Sequence, residues 1–600
     1  MTSSVRSTVR ALVQAAVDQL KRDGLLRQVP DTVPIERTKR PEHGDFATNV
    51  AMALAKSAGK PPRALAEMIV ERLQAVAGAD LSEVTVAGPG FINLRLSDAF
   101  WQRRLLDILA ADKHWGQGEP KPSPRILVEY LSANPTGPMH FAHGRHAAVG
   151  DSLTRLLRFA GYDVLREYYV NDAGNQVAML ALSVWARYME AARGEDWTGV
   201  IVPEVAFPEN GYKGDYIKTL GLELLEREAG RFVGANPPAD MEPIKQFAIS
   251  RCMDMIRATL SKFDVAFDVW QSERTLHDSG EVSSTLAALE QAGFIDRRDN
   301  AVWLKTTGLW GDDKDRVVQK SDGLPTYLLA DIAYHRKKID RGFDELCNIW
   351  GADHHGHVPR MQAALKALGH DPNRLSVLLI QMVSLLRDGK PVAMGKREGE
   401  FITLDSVIDE IGRDATRFFY LMRRHDTPLE FDLELAKRQS MDNPVYYAQY
   451  AHARCASLVR RAAELEAPRL APSAELFGRL SLPEEIALLR RLSDFPDFVA
   501  DAAAAREPHR LVSYISELAG EFQSYYTRLQ KVYHDPVLPQ ESQRVGDWRT
   551  TWDWQKTAAR LHWVEAIGKV IETALSLLGV SAPDVMKRAD EESEDATVSL

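Results

Sequence analysis

Six hundred residues, 45% hydrophobic and 26% charged, exceed what one core can hold and exclude a disordered or fibrous chain, so two to four domains are expected. A formal net charge of −10 excludes adhesion to nucleic acid by overall charge, which leaves RNA contact to a local basic face. Cys252, Cys347 and Cys455 lie too far apart for a disulfide framework or a paired-cysteine zinc site, which fits a cytoplasmic location, and no apolar run reaches the ~20 residues of a membrane span.

The chain opens with Arg6, Arg10, several hydroxyl residues and no acid before Asp18, a composition shared with mitochondrial transit peptides. Val5, Val9, Leu12, Val13, Ala16, Val17 and Leu20 also recur at helical spacing, and the preferred reading is the first amphipathic helix of a folded domain. Residues 1–115 read as a small α+β unit. In it His43–Asn49 leads into a helix, and Val84–Leu96 forms two short strands around the Gly88-Pro89-Gly90 turn. Gln117–Pro124 is a proline-rich linker.

From Arg125 strands and helices alternate, as in a doubly wound (Rossmann-like) parallel sheet of the α/β class spanning 124–440. Ile126-Leu-Val128 makes a strand, Asn134-Pro-Thr-Gly-Pro138 breaks it, and Phe141–Arg158 has helical periodicity. Such a strand, loop and helix N-terminus offers free backbone N–H groups and a positive dipole to an anion. His140 and His143, one turn apart there, are donors suited to a phosphate whose charge grows in a transition state. Asp163–Val170 is the second strand. Its following loop, Asn171–Gln176, falls beside the first at the sheet's carboxyl edge, where open α/β sheets bind ligands. Residues 195–300 read as a helical insertion. The sheet then resumes with a helix opening at Thr326–Asp331, a strand from Leu346 running into the polar loop Asp353–His357, and a buried strand over Val377–Leu386. Thr403–Gly412 is a capped helix closed by glycine. Residues 441–586 form an all-α bundle with aromatic helices at Pro444–Arg454 and Phe522–Arg528. Aromatic stripes of this kind are ordinarily core, leaving one or two tyrosines for RNA stacking. The acidic tail 587–600 is expected to be disordered.

Pro138-Met-His-Phe-Ala-His-Gly144 resembles the HIGH signature of class I aminoacyl-tRNA synthetases. Glu129-Tyr-Leu-Ser-Ala-Asn-Pro-Thr-Gly-Pro138 and Gly144-Arg-His-Ala-Ala-Val-Gly-Asp151 are similar to the bacterial arginyl-tRNA synthetases in particular. Ala142 stands where the signature usually has glycine and narrows the space for an adenine ring. Ala393-Met-Gly-Lys-Arg397 resembles a degraded KMSKR loop in which Lys396 matches the second lysine, with Lys390 and Arg387 nearby to compensate for Ala393 and Gly395. The resemblance implies ligation of L-arginine to tRNA(Arg) through an arginyl-adenylate, with release of AMP and pyrophosphate. It implies His140, His143 and Lys396 as catalytic residues. It places ATP, carried with Mg²⁺, against His140, His143, Gly144, Asp353, His354, His357, Met394, Lys396 and Arg397. Arginine falls to Glu129, Asn134, Tyr327, Asp331 and Asp353, and tRNA to Tyr447, Arg454 and Met586, with the N-terminal domain meeting the tRNA elbow. A monomer with no structural metal and no DNA or membrane partner is implied as well, and so is a need for tRNA before arginine is activated.

The residues themselves suit that chemistry. Adenylate formation needs positioned charge and no covalent enzyme intermediate. A guanidinium needs carboxylates in a fork, although which carboxylate takes it and which takes the α-amino group stays open. The rival from another class is a metal-dependent hydrolase using His140, His143 and His146 with Asp353-His-His-Gly-His357. Against it, His146 lies roughly 120° round the helix from His140, and no glutamate sits beside the pair as a general base. A non-enzymatic RNA-binding relative would not need the histidines, Lys396 and the acids together. A lysyl- or cysteinyl-type enzyme is disfavoured by the full-length similarity and by the acid-rich pocket respectively.

Overall fold

The computed structural model describes residues 4–193, 202–310, 312–392 and 402–586. In the N-terminal unit Ser4 caps α1 (Val5–Arg22) by accepting from the Ser7 amide, and Val5, Val9, Val13, Ala16, Val17 and Leu20 are all buried, as the periodicity requires. The helix packs on α3 (Pro62–Ala77), which follows β1 (Glu36–Arg37), β2 (Phe46–Thr48) and α2 (Val50–Ala58). The hairpin β3 (Leu81–Ala87) and β4 (Phe91–Leu96) turns at Gly88–Gly90 and completes an antiparallel sheet of order β1-β2-β4-β3. Helix α4 (Asp98–Ala111) leads to the linker.

The central sheet is parallel throughout, in the order β12-β11-β5-β6-β7. Its first half is β5 (Arg125–Glu129), α5 (His143–Phe159), β6 (Asp163–Val170), α6 (Asn175–Ala192), α7 (Asp215–Glu228), α8 (Glu242–Lys262) and β7 (Val269–Ser272). Next come α9 (Glu273–Asp278), α10 (Glu281–Gln291) and a small antiparallel sheet of β8 (Ile295–Arg298), β9 (Ala301–Leu304) and β10 (Arg316–Gln319). The second half is α11 (Tyr327–Asp340), β11 (Glu345–Gly351), α12 (Val358–Ala367) and β12 (Leu375–Ile380). The chain runs outward from β5 through β6 to β7, then returns to lay β11 on the other side of β5. Strand order therefore reverses between β5 and β11, and the crevice outside their carboxyl ends is where such sheets take ligands.

Two expectations need correction. Residues 195–300 are not one helical insertion. Only α7 and α8 pack with α6 as a separate apolar cluster, whereas β7 is the edge strand of the central sheet and β8 belongs to the small one. Val269-Trp-Gln-Ser272 is four residues long and half-buried, too short to show a period. Val377–Leu386 is likewise not one strand. It divides into β12 and β13 (Val383–Arg387), which lie in different sheets, with Gln381 bonded to the chain at His425 and Met382 79% exposed between them. β13 pairs with β14 (Lys390–Pro391) and, in parallel, with β15 (Leu429–Asp432), after α13 (Leu404–Ile411) and α14 (Arg413–Tyr420). Thr403 caps α13 through the Ser406 amide, and Gly412 ends it at φ +83°, as the sequence indicates.

After α15 (Leu433–Lys437) the chain becomes helical: α16 (Pro444–Glu464), α17 (Ala474–Phe477), α18 (Pro483–Ala504), α19 (His509–Lys531), α20 (Trp548–Thr551) and α21 (Trp554–Leu577). The bundle is fastened to the sheet domain by Arg417 of α14, which is fully buried. Its guanidinium donates to Asp151 of α5 at 2.5 Å, to Phe263 O beyond α8 at 2.9 Å and to Leu578 O beyond α21 at 2.8 Å. Gly579 allows the approach: at φ +67° a side chain is strained, and a Cβ there would lie 2.3 Å from the Arg417 guanidinium. No helix among the described residues is long and apolar enough to cross a membrane. Arg417→Leu should remove about 3 kcal/mol or more, because a buried carboxylate loses a partner and backbone carbonyls lose their donor. The check is the urea midpoint followed by circular dichroism, and an unchanged midpoint would refute this role for Arg417.

Candidate active site

The chain leaves β5 through Leu131 and Ser132, both at positive φ (71° and 40°), an uncommon conformation for residues other than glycine and one found at functional turns. Side-chain bonds hold it there: Ser132 Oγ accepts from the Tyr169 amide at 3.0 Å and donates to Glu129 at 3.3 Å, and Tyr168 OH donates to Ala133 O at 2.7 Å. Asn134 Nδ2 donates to Gln176 at 2.7 Å, tying this loop to the one after β6.

His140 bridges to Thr403, and its Nδ1 accepts from the Ala142 amide at 3.1 Å, which places the ring hydrogen of the neutral form on Nε2. The His140 and His143 rings lie 6.3 Å apart at 80°. Helix α5 is fixed from beneath by Tyr420, whose OH donates to Phe141 O at 2.5 Å. A Cβ on Gly144 would sit 2.5 Å from that tyrosine ring, and the Gly144 amide bonds to Phe141 O at 2.9 Å, so packing accounts for the missing side chain. Arg145 is buried and donates to Gln381 O at 2.9 Å and to Arg424 O at 2.8 Å, with burial pushing its guanidinium down to about 10. His146 is pushed down to about 3 by burial and by the neighbouring His143 and Arg145, so it stays neutral.

Across the crevice burial pushes the half-buried phenol of Tyr169 well above its ordinary range, and the nearby carboxylates Glu273, Asp331 and Glu129 make it a still weaker acid. Glu129 ends β5 and pairs with buried Lys338. Tyr327, 63% exposed, and Asp331 lie four residues apart on α11, on one face. Burial pushes the Asp331 carboxyl up, but His335 at 3.0 Å and His357 at 2.6 Å carry it well below the usual carboxylate range. Glu273, 4% exposed, is pushed up to about 7 by burial, despite a bond from Tyr169, with Asp172 and Asp331 adding to the effect. Asp172 is committed to Ser272 Oγ at 2.7 Å and the Arg274 amide at 3.0 Å.

The structure thus gathers Glu129, Asn134, Tyr327, Asp331, His140, His143 and His357 at the edge where the strand order reverses. Asp353 and His354 occupy the same turn, Ala352–His357, both exposed, with His354 and His357 beside the Trp350 ring. Met394, Lys396 and Arg397, the expected basic loop, lie outside the described residues, as does the acidic tail. Among the described residues no three His, Cys, Asp or Glu side chains are grouped so as to hold a metal ion. Tyr447, Arg454 and Met586 are remote from this edge. Tyr447 and Arg454 line a cavity of about 720 Å³ with Tyr450 and Gln523, and Arg454 and Met586 line a second of about 450 Å³ with Tyr526 and Lys531. Arg454 donates to Tyr450 OH at 2.8 Å and lies over the Tyr450 and Tyr526 rings, each at 4.8 Å. Sequence reasoning missed Tyr169, Glu273, Lys338 and Arg145. Only Arg145 had a visible sign, a charged residue between the two histidines that begin a mostly apolar helix.

The family model described as the class I (R) tRNA synthetase catalytic domain matches residues 104–428. The arginyl-tRNA synthetase N-terminal domain model matches 7–96, and the DALR anticodon-binding domain model matches 448–586. An arginine–tRNA ligase of Geobacter sp. (strain M21) is 43% identical over 586 residues, 97% of this chain and 100% of its own. That of Nitratidesulfovibrio vulgaris (strain Hildenborough) is 45% identical over 579 residues, 96% of this chain and 99% of its own. The solved Thermus thermophilus arginyl-tRNA synthetase shares the fold, with a TM-score of 0.70 at 22% identity, covering 97% of this chain and 100% of that one. The chain therefore belongs to the arginyl-tRNA synthetases, class I ligases that use ATP to attach arginine to tRNA.

Proposed function

We propose that arginyl-adenylate forms across the crevice between β5 and β11, and that the convergence of Glu129, Asp331 and Glu273 around Tyr169 carries this reading. Glu273 is a buried carboxyl beside Asp331, with the Tyr169 hydroxyl and, at 3.8 Å, His277 Nε2 next to it, so a guanidinium entering there meets two carboxylates. Asp331 and Glu273 take the guanidinium, with Tyr327 alongside. Glu129, on the strand that leads to the histidines, takes the α-ammonium, with Asn134 bridging the two loops beside it. That orientation sends the α-carboxylate toward His140 and His143, whose N–H groups stabilise charge gathering on the α-phosphate as pyrophosphate departs. Lys396, with Met394 and Arg397, serves the pyrophosphate side. Asp353, His354 and His357 serve the nucleotide, which arrives with Mg²⁺. An uncharged side chain would leave the acids unmatched, at a cost of several kcal/mol.

The activated arginine then passes to a ribose hydroxyl of the terminal adenosine of tRNA(Arg). Tyr447, Arg454 and Met586 hold unstacked bases of that tRNA: the two cavities are lined by aromatic faces and a guanidinium, the surface on which bases stack. The unit 1–115 serves as the appended tRNA-binding domain, 124–440 as the catalytic core and 441–586 as the anticodon-binding domain. The protein acts as a cytoplasmic monomer.

The deciding experiment is ATP–pyrophosphate exchange with arginine, with and without tRNA(Arg). Exchange that requires both arginine and tRNA is expected, and exchange supported equally by lysine would overturn the pocket assignment. His143→Ala should lower kcat by ~10²-fold or more while arginine KM changes by less than ~3-fold, because its donor acts on the transition state. Equal effects on both would remove His143 from that role. Below pH ~7 the Glu273 carboxyl is protonated and cannot pair with a guanidinium. Arginine binding, followed by calorimetry, should therefore tighten by about tenfold between pH ~6 and ~8, and Glu273→Gln should bind more weakly with that rise abolished.

A further inference from the structure

Beneath the arginine-facing surface a row of buried polar side chains joins two of the proposed substrate carboxylates. Lys338, fully buried on α11, donates to Glu129 and, at 3.4 Å, to Asn348 Oδ1 on β11. Asn348, also fully buried, lies 2.8 Å through Nδ2 from His335 Nε2. His335 Nδ1 lies 3.0 Å from Asp331 Oδ1 and 2.9 Å from the Asp331 backbone carbonyl, so its hydrogen is shared between the two. The hydrogens along this row are determined from one end. An ammonium has three donors and no acceptor, so the Asn348 atom facing Lys338 is the carbonyl oxygen. The amide nitrogen must then face His335, whose Nε2 accepts. The remaining ring hydrogen lies on Nδ1 and is given to Asp331. Reversing the Asn348 amide would set its –NH₂ against the ammonium, a contact between donors at full burial.

We infer that Lys338 is a positioning residue for arginine recognition: through Glu129 directly, and through Asn348 and His335 to Asp331, one buried ammonium sets both carboxylates. The inference rests on the assignment of Glu129 and Asp331 to arginine. Of the two Glu129 oxygens, Oε2 faces Lys338 and Oε1 faces Ser132, a weak donor at 3.3 Å that leaves Oε1 room to accept from the substrate. Tyr334 confines the ammonium from the other side, with Lys338 Nζ 4.0 Å from its ring centre, while its own OH is bonded to Glu167 at 2.6 Å. Lys338 thus has no route to water and no role in contacting substrate. Its effect reaches the reaction only through the residues it holds.

The test is a double-mutant cycle read in steady-state aminoacylation. Lys338→Met should raise arginine KM by ~10-fold or more, with kcat at saturating arginine and ATP KM each within ~3-fold of the native enzyme. In a Glu129→Gln background the same substitution should add no more than about twofold to arginine KM, since the group through which it mainly acts is already neutral. Full additivity of the two substitutions, or a loss confined to kcat, would overturn the inference. Should Lys338→Met alone not fold, the double variant compared with Glu129→Gln still decides, because both members of the buried pair are then uncharged. Glu129→Gln with native arginine KM would instead remove Glu129 from the arginine site, an outcome separate from failure of the positioning role.

Discussion

A guanidinium shut away from water is costly unless most of its donors find acceptors, and this fold is organised around two buried guanidinium groups on or against one helix. Arg417 meets α5 at Asp151, and Arg145 anchors the first turn of α5 to backbone carbonyls at Gln381 and Arg424. Between them they fix the helix that presents His143. The acceptors are mostly carbonyl oxygens at the ends of strands and helices, groups left unpaired by regular structure. A planar cation with five donors is suited to collecting several of them at once. The sheet, the α8 junction and the helical bundle therefore meet at one point behind the catalytic edge. A displacement of the bundle has to be absorbed there or passed to α5.

The acids of the proposed arginine pocket are unequal, and the inequality has a physical reading. Glu129 is matched by Lys338, and His335 and His357 hold the Asp331 carboxyl well below the usual carboxylate range. Glu273 has the Tyr169 hydroxyl and, more distantly, His277 Nε2 at 3.8 Å beside it, and burial pushes it up to about 7. Three fully charged carboxylates around one phenol would repel one another. Leaving one of them to ionise when a guanidinium enters limits that repulsion in the empty site and keeps the full attraction for the occupied one. Discrimination then comes from the change in charge on binding as much as from shape.

Much of this was legible in the sequence. The break at Asn134–Pro138 between an apolar run and a periodic helix can hardly be read otherwise, and glycine and threonine marked both ends of Thr403–Gly412. The crossing of Val377–Leu386 from one sheet to another was not legible, because both halves are apolar and the divide rests on Gln381 and on tertiary bonds to distant residues. Strand β7 was hidden by its length. Tyr169, Glu273 and Lys338 were hidden for a different reason. Each is a single polar residue in a strand or at a helix start or last turn, where a solvated side chain would leave the same trace, and only the strand order brings the three together. The flagged residues cluster in loops and at the ends of regular elements, where motif and turn chemistry mark them, and no such mark accompanies Tyr169, Glu273 or Lys338.

The reversal of strand order also decides how the two small substrates must meet. The acids reached from β6, α9 and α11 lie on one side of β5, and the turn Ala352–His357 lies on the other, at the end of β11. On the proposed assignment the atoms that react, an oxygen of the arginine carboxylate and the α-phosphorus, therefore have to meet over β5, where the histidines stand. His357 spans the two sides: it belongs to the turn proposed for the nucleotide, yet its Nε2 lies 2.6 Å from Asp331, which is proposed for arginine. A nucleotide that draws on His357 alters the charge balance of Asp331, and a guanidinium that takes up Asp331 releases His357. By linkage, each effect on affinity must equal the other. On the proposed assignment the His357–Asp331 hydrogen bond is the element through which the two sites would be coupled, with no movement of a domain required.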